Sequence, residues 1–244
     1  MESFQSVRAE FMRPSQIRQA LAIRSVAFLP IGATEFHQEH LPIGLDGLNA
    51  QGVACEAASE RGGIVLPTLF VGTGGGHKDY PWTIMMDGDA EIRAILQKTL
   101  QRLNEFGVKV AVLFTGHFAP EQLEMIESIA SDWQQTGRSM KVLALAINMP
   151  LESAISPDHA GVFETTVLSK FFKETIDLGE LPSLSDFPAI DPEGDPYGLH
   201  RHDPEHVLWG VFGPDPRKYD SAAADALVGK LTLEINAAVD LAIA

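Results

Sequence analysis

The chain has 244 residues, 45% of them hydrophobic, and a formal net charge of −15 from 18 basic and 33 acidic side chains. That length and apolar share suit one large α/β domain, read here as spanning residues 1–244. The acid excess argues against nucleic acid or an anionic membrane surface as a partner of the whole molecule, and a lone cysteine, Cys55, excludes an intramolecular disulfide.

The opening stretch "MESFQSVRAEFMRPSQIRQALA" lacks a basic-then-apolar leader pattern, and no apolar run approaches about 18 residues. A soluble, cytoplasmic protein is the expectation. Apolar runs without alternation follow at Val26–Ile31, Ile64–Val71, Val108–Phe114 and Val142–Ile147, the pattern of strands buried on both faces of a parallel sheet. Between and after them the spacing predicts helices over Leu48–Glu60, Ala90–Phe106, Glu121–Gln135 and Ala160–Thr175. In the second, Ile92, Ile95, Leu96, Thr99, Leu100 and Leu103 form one stripe, and Gly107 closes it. Cys55 falls within a helical stretch and reads as a small buried residue. Residues 179–220 are proline-rich and aperiodic, a long loop region, and Ser221–Ile243 closes the sequence as a helix. Strand–helix alternation of this kind predicts a layered α/β/α fold with a mostly parallel central sheet.

The chemistry-bearing residues gather at the ends of the apolar runs. Directly after Val26–Ile31, the stretch "PIGATEFHQEHLPIGLDGLNA" carries Glu35, His37, His40 and Asp46. Glu35 and His37 follow the carboxyl end of a strand, where open α/β sheets place their ligands, and two residues apart in extended chain they point the same way. Asp46 stands where a helix begins, so an N-cap is the competing reading. The run Val108–Phe114 ends in Thr115-Gly116-His117, with the glycine read as permitting a tight turn. "SPDHAGVFETT" brings His159 and Glu164 to the start of a helix, and "GTGGGHKDYPW" brings His77 after the run Ile64–Val71. Imidazoles and carboxylates without a thiolate suit Zn²⁺, Mn²⁺ or Fe²⁺ in a hydrolytic centre.

These motifs resemble the creatininase (creatinine amidohydrolase) family. Its long P-[VLI]-G-[SA]-x-E-x-H-x-x-H-L-P…D pattern is matched by Pro30 through Asp46, its strand-end N-G-H by Thr115-Gly116-His117, and its H-x-G-x-x-E-T-S by His159 through Thr166. The closing "GVFGPDPRKYD" is similar to the family's G-V-x-G-D-P ending. The resemblance implies a creatininase-like fold and a homo-oligomer, hexameric in the family. It also implies two divalent ions, Zn or Mn with Fe as a further choice. Glu35, Asp46 and His117 match the ligands of one ion; His37 and a bridging Asp46 match those of the other. The family's further carboxylate, two residues after the strand-end histidine, is replaced by Ala119, and Glu164 is the substitute candidate, with orientation of His159 as its other reading. His159 is assigned proton transfer. A water or hydroxide held between the two cations would then attack a carbonyl of a small-molecule substrate.

Substrate choice is less determined. Creatininase closes on its ring with tryptophans before the H-x-G-x-x-E motif, whereas residues 143–158 here hold no aromatic side chain, so creatinine itself is not the expected substrate. Trp82, in place of a family glycine, either walls the pocket or packs in the core. His40, His77, His200 and His202 are candidate substrate contacts. Residues 198–206, with three histidines and an arginine, read as a polar lid or as a solvated loop. Hydrolysis of a cyclic or open amide comes first, and opening of an oxidised inositol-type cyclic diketone at a carbon–carbon bond second. A non-catalytic module cradling phosphate on "VGTGGGHK" is the third reading, weakened because no helix signal follows the glycines.

Overall fold

The computed structural model describes residues 6–153, 155–187 and 202–244. Its elements in chain order are α1 (Pro14–Ile23), β1 (Val26–Gly32), α2 (Leu45–Arg61), β2 (Ile64–Val65), β3 (Leu69–Phe70), β4 (Gly72–Thr73), β5 (Met85–Met86), α3 (Ala90–Glu105), β6 (Val110–Thr115), α4 (Pro120–Gln135), β7 (Lys141–Ala146), α5 (Val162–Phe171) and α6 (Ala224–Ile243). The main sheet runs β2-β1-β6-β7, with β3 also paired to β1, and every pairing in it is parallel. Strands β4 and β5 form a small parallel pair of their own.

Each residue of β1 and β6 is buried, which is why their sequences are apolar without alternation. Successive side chains still face opposite layers. Val26, Phe28, Val110, Val112 and Phe114 pack with the inner faces of α2, α5 and α6. Ala27, Leu29, Ile31, Ala111 and Leu113 pack on the other side, with α3 and α4. The result is an α/β/α layering. Pro30, lacking an N–H, is tolerated mid-strand because it falls opposite the break between β2 and β3. Its even-numbered neighbour Phe28 turns its carbonyl to that side, accepting from Leu66, and Ile31 turns to β6.

Several element bounds differ from the sequence reading for physical reasons. The run Ile64–Val71 splits into two short strands flanking Pro67. The helix expected over Ala160–Thr175 begins at Val162, because Ala160 takes a left-handed φ of 55° and Gly161 is extended. Its last three residues form a separate 3₁₀ turn, Lys173–Thr175. Residues Ser221–Ala223 likewise form a 3₁₀ turn before α6. Helix α1 lies outside the helices the spacing predicts; Pro at its first position and the Gln16 side chain on the Arg13 amide mark its start. Cys55 is fully buried in α2. Among the described residues no helix is long and apolar enough to cross a membrane.

Candidate metal centre

The parallel sheet brings its chain exits to one edge. Glu35 and His37 follow β1, His117 follows β6, and Asp46 lies in the first turn of α2, whose start is held against the sheet by close glycine contacts. A Cβ on Gly32 would stand 2.1 Å from the Gly47 nitrogen, and one on Gly116 would stand 2.1 Å from the Asp46 carbonyl oxygen. Gly116 is therefore needed for close approach; its φ is not in the left-handed region, so the tight-turn reading is corrected. Asp46 makes no capping bond, and Gly44 occupies the cap position.

Three donor groups converge there. Glu35, Asp46 and His117 each offer an atom within 4.8 Å of the others; so do His37, Asp46 and Glu164, and so do Glu35, His37 and His159. The Nε2 of His37 lies 3.2 Å from an Asp46 oxygen and 3.5 Å from a Glu164 oxygen, while His117 Nδ1 lies 2.9 Å from Glu35 and 3.3 Å from Asp46. These are close approaches without aligned hydrogen bonds: Glu35 Oε2, Asp46 Oδ2 and His37 Nε2 have no hydrogen-bond partner among the described residues. The Nδ1 of His37 donates to the Glu35 carbonyl at 2.9 Å, so Nε2 is the nitrogen turned to the carboxylates, where a cation would take the place of its proton.

The centre also concentrates buried negative charge. Glu35, Asp46 and Glu164 are each 1% exposed, and among the described residues no lysine or arginine pairs with them. Burial disfavours protonation of His37, but the Asp46 and Glu164 carboxylates outweigh it and carry the imidazole up to about 10. His117 is likewise held well above its ordinary value, burial being overcome by Asp46 and Glu35. Burial lifts Glu164 well above the usual carboxylate range, with Asp46 and Asp158 adding and His37 opposing. Buried carboxylates that draw protons onto their neighbouring imidazoles are a place where cations are stabilised. The donor set, its orphaned buried atoms and its charge all fit divalent ions.

Two further imidazoles complete the surroundings. His77 Nδ1 meets Glu35 Oε1 at 3.0 Å, and its ring stacks on His159 at 4.1 Å and on Tyr80 at 4.7 Å. His159 also stacks on His37 and places Nε2 3.2 Å from the Phe36 carbonyl, and burial holds it well below its ordinary value. Asp158 lies just before it, buried and pushed up to about 7 by that burial, opposed by the backbone amides of Phe163, Glu164 and Gly161. The cavity over the centre encloses about 200 Å³, with Phe118, Ala119, Pro120 and Phe212 lining it beside the convergent donors. A larger cavity of about 630 Å³ adjoins it at Gly75 but contains none of the convergent donors.

Other candidates lie elsewhere. His40 is 1% exposed, does not line the cavity, and is driven down to about 3 by burial and by His37. Trp82 is 85% exposed at a φ of 60°, neither core nor wall of the centre; it lines a different cavity, with Phe36, His37 and Ile84. His202 is exposed, 3.4 Å from the Tyr80 hydroxyl, and His200 lies outside the described residues. The glycine loop leads into turns, and its Gly75 amide donates to the Glu121 carboxylate, an arrangement unfavourable to phosphate. Sequence reasoning missed the aromatic packing of Phe36, Tyr80 and Trp209 beside His77, and the part played by Asp158. For Asp158 a signal existed: an acidic side chain three residues before a glycine that opens a helix.

The family model described as creatininase, creatinine amidohydrolase, matches residues 10–239. Creatinine amidohydrolase of Pseudomonas putida is 27% identical over 232 residues, 86% of this chain and 85% of that protein. The mycofactocin precursor peptide peptidase of Mycolicibacterium smegmatis (strain ATCC 700084 / mc(2)155) is 25% identical over 173 residues, 68% of this chain and 66% of its own. A crystal structure of creatininase superposes with a TM-score of 0.73 at 21% identity, covering 96% of each chain, and creatininases described as Zn-Zn type and as Mn share the fold at TM-scores of 0.70 and 0.73. Sequence and fold agree, and the chain belongs to the creatininase family.

Proposed function

We propose that this chain is a dinuclear metal-dependent hydrolase, one domain over its whole length, that cleaves an amide carbon–nitrogen bond in a small substrate. The observation that carries the reading is the pair of donor groups that share Asp46: Glu35, Asp46 and His117 for one ion, and His37, Asp46 and Glu164 for the other. Glu164 then does the work of the carboxylate that Ala119 cannot supply. Ions held there, Zn or Mn by likeness to the creatininases described in those forms, would supply Lewis acidity and an activated water.

The chain's own residues handle the proton. A carbonyl oxygen can only accept, so the Nε2–H of His159 donates to Phe36 and Nδ1 is left as the base. That nitrogen takes a proton as the water oxygen bonds to the substrate carbon, then gives it to the nitrogen leaving as the C–N bond breaks. Stacking between His37 and His77 holds the ring in place. Phe118, Ala119, Pro120 and Phe212 give the cavity an apolar wall beside its polar donors, which suits a compact amide or lactam. The test is elemental analysis of purified protein followed by a screen of the metal-loaded enzyme over lactams, formamides, short peptides and cyclic diketones, reading product mass. Two ions per chain and an amine product are expected; protein that binds no divalent ion, or that opens only diketones, would refute the reading.

A further inference from the structure

We infer that Asp158 is a positioning residue that presents Glu164 and His159 to the metal centre, an inference that rests on the two-ion reading above. Asp158 is 4% exposed and among the described residues has no lysine or arginine partner. Its carboxylate instead collects the start of α5. Oδ1 accepts from the amides of Gly161 at 3.2 Å and Glu164 at 3.3 Å, and Oδ2 accepts from Phe163 at 2.8 Å. Those amides belong to the set that a helix leaves unpaired at its beginning, and negative charge is favoured there.

The clamp is tight on both sides. A Cβ on Gly161 would stand 2.4 Å from Asp158 Oδ2, and one on Gly213 would stand 2.4 Å from Asp158 Cβ. Small residues at both places let the helix start and the 213 turn close on one carboxylate. Between Asp158 and Gly161 the chain has only His159 and Ala160 to turn with. His159 is pinned by Phe212 through both its N–H and its carbonyl, each at 2.8 Å, and Ala160 makes the turn at a left-handed φ of 55°. The Ala160 amide then donates to Glu164 Oε2 at 2.6 Å, the same oxygen that lies 3.5 Å from His37 Nε2. The Asp158 carboxylate thus fixes the backbone amide of Glu164, and the turn it holds fixes the side chain. Glu35, Asp46 and His117 hang from β1, α2 and β6 and owe nothing to this turn.

That asymmetry gives the test. Zn²⁺ is titrated into metal-free protein against a chromophoric chelator, with wild type and Glu164→Gln run first. Wild type should bind two ions, and Glu164→Gln should identify the weakened one; a wild type that binds fewer refutes the two-ion reading and leaves nothing for Asp158 to position. Asp158→Asn is then measured: it is nearly isosteric and keeps one acceptor oxygen. Gly161→Ala is the second variant, leaving the carboxylate chemistry intact but pushing it aside, together with the Pro214 carbonyl 2.9 Å from the added carbon, at a φ of −99° that alanine accepts. Both should weaken the Glu164-dependent ion about 10–100-fold, the range for lost support behind a metal ligand, with the other ion and the circular dichroism unchanged. Equal weakening of both ions, or none at either, would overturn the role.

Discussion

The imidazole of His159 lies over that of His37, with ring centroids 4.3 Å apart and planes 29° from parallel. One ring faces Asp46 and Glu164 through its Nε2; the other is tied to the Phe36 carbonyl. His159→Asn removes the proton carrier and keeps a polar side chain. Metal content should stay at the wild-type value while kcat falls by about 10²–10⁴-fold, as for loss of a general acid–base. Since His159 also forms a donor group with Glu35 and His37, loss of an ion from this variant would make it a ligand instead.

Asp46 is the residue common to both proposed ion sites, with Oδ1 near His37 and Oδ2 near His117. Asp46→Ala should therefore lose both ions, whereas His37→Ala should lose one and leave the group of Glu35, Asp46 and His117 occupied. Inductively coupled plasma analysis of the two proteins decides it. Full metal content in Asp46→Ala would disprove the bridge.

Creatinine should be a poor substrate. Residues 143–158 contain no aromatic side chain, and among the described residues the cavity facing the centre is walled by Phe118, Ala119, Pro120 and Phe212 rather than by indoles. The expected kcat/KM for creatinine lies below about 10⁴ M⁻¹s⁻¹, the low end for ordinary enzymes. A coupled ammonia-free assay following creatine formation measures it directly.

Burial, with Glu10 and Glu56 adding, pushes the Cys55 thiol up to about 12, against the pull of Arg8. Native protein at pH 8 should not react with a disulfide reagent until denaturant is added, when the thiol returns to about 8.5. The folded state holds its proton longer than the unfolded one, so this contribution is complete below about pH 8.5 and is lost as pH rises toward 12. Rapid labelling of folded protein would show that α2 opens readily.

The stretches that carry the candidate ligands are legible because a parallel sheet needs uninterrupted apolar strands, and the side chains that follow them are left at one edge. Glu35, His37 and His117 follow from that logic as strand-end residues, whereas Asp46, at a helix start, joins them as a candidate ligand only through the resemblance to the family. What the sequence hid were features made by distant pieces meeting: His77 on Glu35 across 42 positions, or Trp209 against Phe36. Single histidines look alike in a linear chain, so the sequence does not separate buried His40 and exposed His202 from His77 as substrate contacts. The 85% exposure of Trp82 was equally hidden, since a left-handed tryptophan has no local signature.

The glycines carry the last prediction. Strand β6 ends at Thr115, and the chain must pass the first turn of α2 on its way to His117. At Gly116 the two backbones are so close that an added Cβ would lie 2.1 Å from the Asp46 carbonyl oxygen and 3.1 Å from its Cα. These are backbone atoms, so no rotamer change relieves the clash; either β6 or the start of α2 has to move. Overpacking of this kind costs about 1–3 kcal/mol. For a chain of this size each kcal/mol corresponds to about 2–4 °C in Tm. Gly116→Ala should therefore lower Tm by several degrees. Because the displaced backbone is that of Asp46 itself, both ions should weaken although no ligand has been changed. Gly137→Ala is the control: its φ of 71° strains alanine, but nothing lies within 4 Å of the added carbon. It should cost stability without touching metal affinity. If Gly116→Ala binds both ions as tightly as wild type, the close approach of β6 and α2 is not what holds Asp46 in place.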